Sequence, residues 1–297
     1  MKPANFADRL LAAIDRAGSP ICCGIDPVWE NLPPRLRGKG QSDLERLDDI
    51  FEFSLAFLKT VGAHVAAVKI QSACFERYLP DGVEAYCTLM EEARRLNILT
   101  IGDVKRGDIG VTSQAYAAGH LKVADAITVN PMLGMDTLDP YVQIAREHGN
   151  GLFILVRTSN PGSAKLQDVK LADGRTWSEM LAETLNATID DSLVGERGFS
   201  LIGAVVGATQ THTMVSLRQR LPRSIFLLPG YGAQGATAEM TAAAFTNGRG
   251  AIISASRSIL YAHAEPKYSS QFGDDWQKCV EQAVLDMKQD VNRIIRK

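Results

Sequence analysis

Eight short apolar runs, separated by longer amphipathic stretches, constrain this chain more than any other feature. The runs are ICCGI (21–25), VAAVKI (65–70), ILTIGDV (98–104), AITVN (126–130), LFILVRT (152–158), LIGAVVG (201–207), SIFLLPG (224–230) and GAIISAS (250–256). Nearly every position in each is apolar, as strands covered on both faces require. Between them lie helix-like segments, among them 42–60, 82–96, 136–148, 176–190 and 273–295. Strand–helix alternation of this kind builds a parallel sheet. Eight repeats favour closure into a (β/α)8 TIM barrel over an open α/β sheet. Residues 1–297 then read as one barrel domain. The Pro-, Gly- and charge-rich stretches 29–45 and 159–175 read as long loops, because the alternation continues on both sides of each.

Barrels of this kind carry their sites at the C-terminal ends of the strands. Those ends are polar here: Asp26, Lys69, Asp103 with Lys105, Asn130, Thr158 with Ser159, Gln210, Gln234, and Ser256 with Arg257. The densest piece is GDVKRGDIG (102–110). Side chains two apart on a strand share a face, so Asp103 and Lys105 are expected to point together into the barrel. Lys69 ends the preceding strand, and Asp108 falls where the next helix begins. Buried charges must pair. At ~4 Å and an effective dielectric near 20, each opposite neighbour contributes roughly 4 kcal/mol. An alternating Lys–Asp array would fix an ammonium in place and set a carboxylate beside it. A structural ion-pair cluster, or a helix cap in the case of Asp108, would use the same residues. The inward layers of a barrel are normally branched and apolar, which favours a site for Asp103 and Lys105.

The last two strands end in small-residue turns, LLPGYGAQGAT (227–237) and ISASRSILY (253–261). Such turns, with the helix starts that follow, suit an anion, and this is the usual phosphate position in barrels. Arg257 supplies a planar fork for a phosphate, and Gln234 is placed to close over it. Ordinary strand–helix turns with a solvated arginine are the alternative. The net charge of −2 gives no global reason to expect nucleic acid or a membrane as partner. The five cysteines are odd in number and form no CxxC, so neither a disulfide framework nor a zinc site is expected. The five histidines are scattered without metal spacing. No apolar run is long enough to span a bilayer, and the N-terminus mixes charge through its pattern unlike a signal peptide. A reduced, cytoplasmic protein without a bound metal is the expectation.

Taken together, GIDP (24–27), VKIQSACFE (68–76), DVKRGDIG (103–110), TVNPMLG (128–134), VRTSNPG (156–162), PGYGAQG (229–235) and SASRS (254–258) resemble the orotidine 5′-phosphate decarboxylases, in their longer bacterial form. The D-x-K-x-x-D element is the specific one. The resemblance implies cofactor-free loss of CO2 from orotidine 5′-phosphate to give UMP, in pyrimidine biosynthesis. It implies that Asp103, Lys105 and Asp108 are catalytic, with Lys69 completing the charge network. Asp108 would reach a partner subunit's site in a homodimer, and Ile109 and Thr112 would cross with it. Asp26 and Lys69 would hold ribose hydroxyls, and Asn130 and Ser256 would help bind substrate. Ser159 would read the pyrimidine. Gln234 and Arg257 would grip the phosphate, with Pro229 and Tyr231 lining the approach. The chain departs from shorter relatives in long loops at 29–45 and 159–200, which bears on the lid and on Ser159.

Overall fold

A computed structural model describes residues 3–295. Its eight strands are β1 (Ile21–Ile25), β2 (Ala67–Gln71), β3 (Leu99–Arg106), β4 (Ala126–Val129), β5 (Gly151–Arg157), β6 (Ser200–Val206), β7 (Ser224–Pro229) and β8 (Ala251–Ala255). Each pairs in parallel with the next, and β8 returns to β1, so the sheet is a closed barrel. The longer helices are α1 (Phe6–Ala17), α2 (Asp43–Val61), α3 (Leu79–Arg95), α4 (Gly110–Val123), α5 (Asp139–His148), α6 (Trp177–Ala187), α7 (Thr211–Arg220) and α8 (Trp276–Ile295). The connection from β7 to β8 holds only a single helical turn, Ala238–Thr241, and a 3-10 turn behind it.

Local chemistry sets several of these boundaries. Ser42 and Glu45 form a reciprocal capping box at the start of α2, and Thr176 and Glu179 do the same for α6. Each box satisfies backbone N–H groups that a helix start leaves without partners. In stretch 29–45 the chain makes two 3-10 turns, Trp29–Asn31 and Pro34–Leu36, before α2 begins. The stretch 159–200 contains a 3-10 turn, the helical turn Ala164–Gln167, α6 and a further 3-10 turn.

Two buried clusters hold the fold. The larger lies between sheet and helix ring and includes Phe53, Phe57, Leu89, Val156, Leu185, Met214 and Val284. The smaller fills the barrel's N-terminal end, where α1 lays Phe6, Leu10 and Leu11 on inward residues Ile101, Phe153, Ile225 and Ile252. Asn5 caps α1 by accepting from the Ala7 N–H at 2.8 Å. Phe6 meets Phe153 edge-on, with ring centroids 6.0 Å apart. Each such side chain contributes about 1.5–3 kcal/mol on burial. The N-terminal end is therefore plugged by apolar packing, and the interior turns polar only at the C-terminal mouth.

Candidate active site

The cavity at that mouth has a volume of about 400 Å³. Its floor is Asp103, almost wholly buried. Lys69 Nζ donates to Asp103 Oδ2 at 2.6 Å, and Lys105 Nζ donates to Asp103 Oδ1 at 2.5 Å. Thr128 Oγ1 adds a bond to Oδ1 at 2.9 Å, and Gln71 Nε2 one to Oδ2 at 3.2 Å. Burial alone would raise the Asp103 pKa, but the two ammonium groups outweigh it and hold the carboxyl well below the usual range. Burial pushes the other way on Lys69, yet Asp103 and Asp26 keep it firmly protonated, above the usual lysine range. Asp26 Oδ1 lies 3.8 Å from Lys69 Nζ, and it is buried without a hydrogen-bond partner among the described residues. Such an atom has an acceptor to offer to a ligand hydroxyl.

Lys105 reaches Asp103 by a route that simple alternation does not give. Between Gly102 and Arg106, β3 advances four residues while β4, from Ile127 to Val129, advances two. In this bulge Lys105 takes φ +45°, in the left-handed region. A non-glycine residue there costs roughly 1–3 kcal/mol, and such strain collects at functional sites. The backbone N–H of Lys105 is held by Thr128 Oγ1 at 2.9 Å. The side chain remains about half exposed, with 47 % of its surface open, at the cavity wall rather than in a packed layer. Bulges re-aim a side chain in this way.

The opposite wall comes from β7 and β8. Pro229, Tyr231, Gln234, Ser256 and Arg257 all line the cavity. Gly230, Gly232 and Gly235 have φ of +110°, +70° and +85°, which makes the turn after β7 one that side-chain-bearing residues would strain. Gly24 on β1 lets Ser256 approach, since a Cβ there would lie 1.9 Å from Ser256 Oγ. Tyr231 turns its hydroxyl out of the cavity, donating to Asp290 Oδ2 of α8 at 2.6 Å. The helix after β8 is a single turn, Arg257–Leu260, too short to carry much of a dipole. On this wall Arg257 is the cationic side chain that lines the cavity.

Ser159 and Asn160 form a third wall. Behind them Arg157, 1 % exposed, forks onto Asp168 with Nε–Oδ1 and Nη2–Oδ2 both at 2.8 Å. It also donates to Gln210 Oε1 at 3.0 Å and to the Thr158 carbonyl at 2.7 Å. The early part of the 159–200 stretch is thereby fastened to β5 and β6.

Four expected site residues fall outside this cavity. Asp108 is half-buried beside it, accepting from the Ile109 N–H at 2.8 Å, while Ile109 and Thr112 are exposed. Asn130 is also exposed, its side chain accepting from the Met132 N–H at 3.0 Å. Their sequence neighbours Val111, Met132 and Leu133 are 82 %, 56 % and 56 % exposed. Sequence reasoning overlooked Gln71, Thr128, Ser254 and Arg157. Gln71 and Thr128 carried a usable signal, being polar residues near the ends of the strands flanking Asp103, with Gln71 in register with it. Among the described residues no group of three or more His, Cys, Asp or Glu side chains could hold a metal ion. All five cysteines are free, and burial pushes Cys22 up to about 12. No helix among the described residues is long and apolar enough to cross a membrane.

Comparison with known proteins converges on one group. The profile of the orotidine 5′-phosphate decarboxylase / HUMPS family matches residues 19–271. An orotidine 5′-phosphate decarboxylase of Rhodopirellula baltica is 38% identical over 96% of this chain and 98% of its own length. One from Clostridium perfringens is 33% identical over 98% of this chain and all of its own. The structure of Leishmania donovani OMP decarboxylase superposes with a TM-score of 0.77 at 26% identity, covering 99% of both chains. With its eight-stranded barrel and its Asp–Lys floor, the chain belongs to the orotidine 5′-phosphate decarboxylase / HUMPS family.

Proposed function

We propose that this chain decarboxylates orotidine 5′-phosphate to UMP in pyrimidine biosynthesis, without a metal or organic cofactor. The observation that carries the reading is a carboxylate clamped between two ammonium groups, on the floor of a cavity whose rim bears Arg257 and Gln234. The bond from C6 of the pyrimidine to its carboxylate breaks, CO2 departs, and the electron pair stays on C6. With no electron sink, that in-plane charge must be met by the site itself. Lys105 is the group for it, as a pre-placed cation that then gives its proton to C6. Asp103 stays ionised and fixes the ammonium, and it sits where the departing carboxylate is accommodated. Lys69 and the unpartnered Asp26 Oδ1 suit ribose hydroxyls. Ser159 contacts the pyrimidine, Pro229, Tyr231 and Ser256 shape the approach, and Arg257 and Gln234 hold the phosphate. Binding energy from that remote group can serve the reacting centre through closure of the 229–237 turn.

The active form is a homodimer in which Asp108 enters the partner subunit's site, with Ile109, Thr112 and Asn130 at the same junction. The exposed apolar side chains Ile109, Val111, Met132 and Leu133 beside it support an interface there. The test is loss of orotidine 5′-phosphate absorbance at catalytic enzyme concentration, run with and without excess EDTA. Equal turnover in both is expected. No turnover overturns the reading, and a rate that EDTA removes and magnesium restores overturns its cofactor-free part.

A further inference from the structure

We infer that Arg106 is a positioning residue for this reaction, holding Lys105 and Asp108 in place from outside the cavity; the inference rests on the reading of Lys105 as proton donor. Arg106 does not line the cavity. Its guanidinium lies on the outer side of β3, where it ties two further pieces of chain to the strand, and its backbone carbonyl holds a third. Nη2 donates to Glu76 Oε1 at 2.5 Å, on the helical turn Ala73–Glu76 that follows β2. Nε donates to His120 Nε2 at 3.1 Å on α4, and the guanidinium carbon stands 5.3 Å from the ring centre of Tyr116 on the same helix. The Arg106 carbonyl accepts from the Asn130 N–H at 2.7 Å, just past β4.

The position of this clamp in the chain gives it its consequence. Lys105 immediately precedes it, at the strained φ of +45° inside the β3 bulge. Asp108 follows two residues later, and α4 begins at Gly110. The two charges assigned to chemistry thus sit at the ends of a short segment that Arg106 pins in the middle. Strained residues persist only where their surroundings over-determine them. A second bond serves the same segment, from Ser113 Oγ of α4 to the Asp108 carbonyl. The His120 acceptor suits the role: burial, reinforced by Arg106, holds its pKa down to about 4, so the ring is neutral and its Nε2 lone pair is free to accept. A partly exposed ion pair such as Arg106–Glu76 adds little stability, so its geometry rather than its energy is what the fold gains. The planar fork sets direction at several acceptors at once, which an ammonium cannot do.

The experiment compares wild type, Arg106→Met, Arg106→Lys and Lys105→Ala, with active sites counted by UMP titration. Arg106→Met is expected to lose about 10–100-fold in kcat per UMP-binding site, while its UMP affinity stays within about threefold. Arg106→Lys is expected to recover only part of that loss. A purely structural role would lower the number of competent sites and the melting temperature but leave kcat per site unchanged. If kcat per site in Arg106→Met stays within about twofold of wild type while Lys105→Ala is inactive, the inference is overturned and the underlying reading stands. If Lys105→Ala turns over normally, the underlying reading itself fails. Should Arg106→Met not fold, Glu76→Gln removes one prong of the clamp. A fall of about three- to tenfold in its kcat then supports the inference, and an unchanged kcat overturns it.

Discussion

Asp103 shows most clearly how residue-level forces oppose one another here. Desolvation disfavours its charge, two ammonium groups favour it, and the second effect wins. Lys69, equally enclosed, needs that carboxylate, because Asp26 stands farther off at 3.8 Å. Replacing Asp103 with Asn is therefore expected to cost about 3 kcal/mol of folding stability at neutral pH, by leaving a buried ammonium undercompensated. The pH dependence has a definite sign. A pKa lowered in the folded state means that the unfolded chain takes up the proton first as pH falls. The stability due to Asp103 is thus fully present above the ordinary carboxylate value of ~4 and declines below it. Denaturant titrations of wild type and Asp103→Asn across pH check this. Their difference should be flat from neutral pH to about pH 5 and shrink further into acid. A difference that grows on acidification contradicts the assignment. Asp103, Lys105 and Lys69 were legible in the sequence because charge at inward strand positions is conspicuous among apolar neighbours. Gln71 and Thr128 gave only a weaker signal, since uncharged polar residues near strand ends are common. The left-handed Lys105 could not be foreseen, because nothing local in DVKRG announces a bulge.

At the scale of elements, all eight strands were readable from apolar runs bounded by turn residues, with ends displaced by one or two positions. Helices α2 and α6 were equally plain, being opened by Ser42–Glu45 and Thr176–Glu179. The single helical turn after β7 was not, because Ala, Thr and Met in that stretch are compatible with a longer helix. Arg157 illustrates a different blind spot. It sits at the end of an apolar strand, and its role depends on Asp168, Gln210 and Ser163, which meet it only in the fold. Its burial separates this ion pair from those on the surface. Asp168→Ala is expected to cost about 3–5 kcal/mol, because it strands a buried guanidinium. Asp191→Ala, whose partner Arg223 is 36 % exposed, should cost less than about 1 kcal/mol. Chemical denaturation of the two variants provides the comparison, and equal effects would show that the Arg157 brace carries no special weight.

For the whole molecule, the cavity within one chain holds Lys69, Asp103 and Lys105, while Asp108 does not line it and is followed in sequence by exposed Ile109 and Val111. A two-fold dimer through that segment would place each Asp108 at the partner's cavity. Mixing inactive Lys105→Ala and Asp108→Ala proteins should then restore activity, approaching about one quarter of wild type when exchange is complete, since half the dimers are hybrid and each has one intact site. No recovery after demonstrated exchange contradicts a shared site. In the sequence a shared site enters only through the family resemblance; the spacing shows that Asp108 lies near Lys105 but not which cavity it would serve. Behind all of this stands the claim that the Lys105 ammonium meets the developing charge on C6. Its most direct test is single-turnover decarboxylation by Lys105→Ala, alongside UMP binding to the same preparation. The account expects UMP to bind with CO2 release lost by at least about a thousandfold. CO2 release near the wild-type rate from that variant would contradict it.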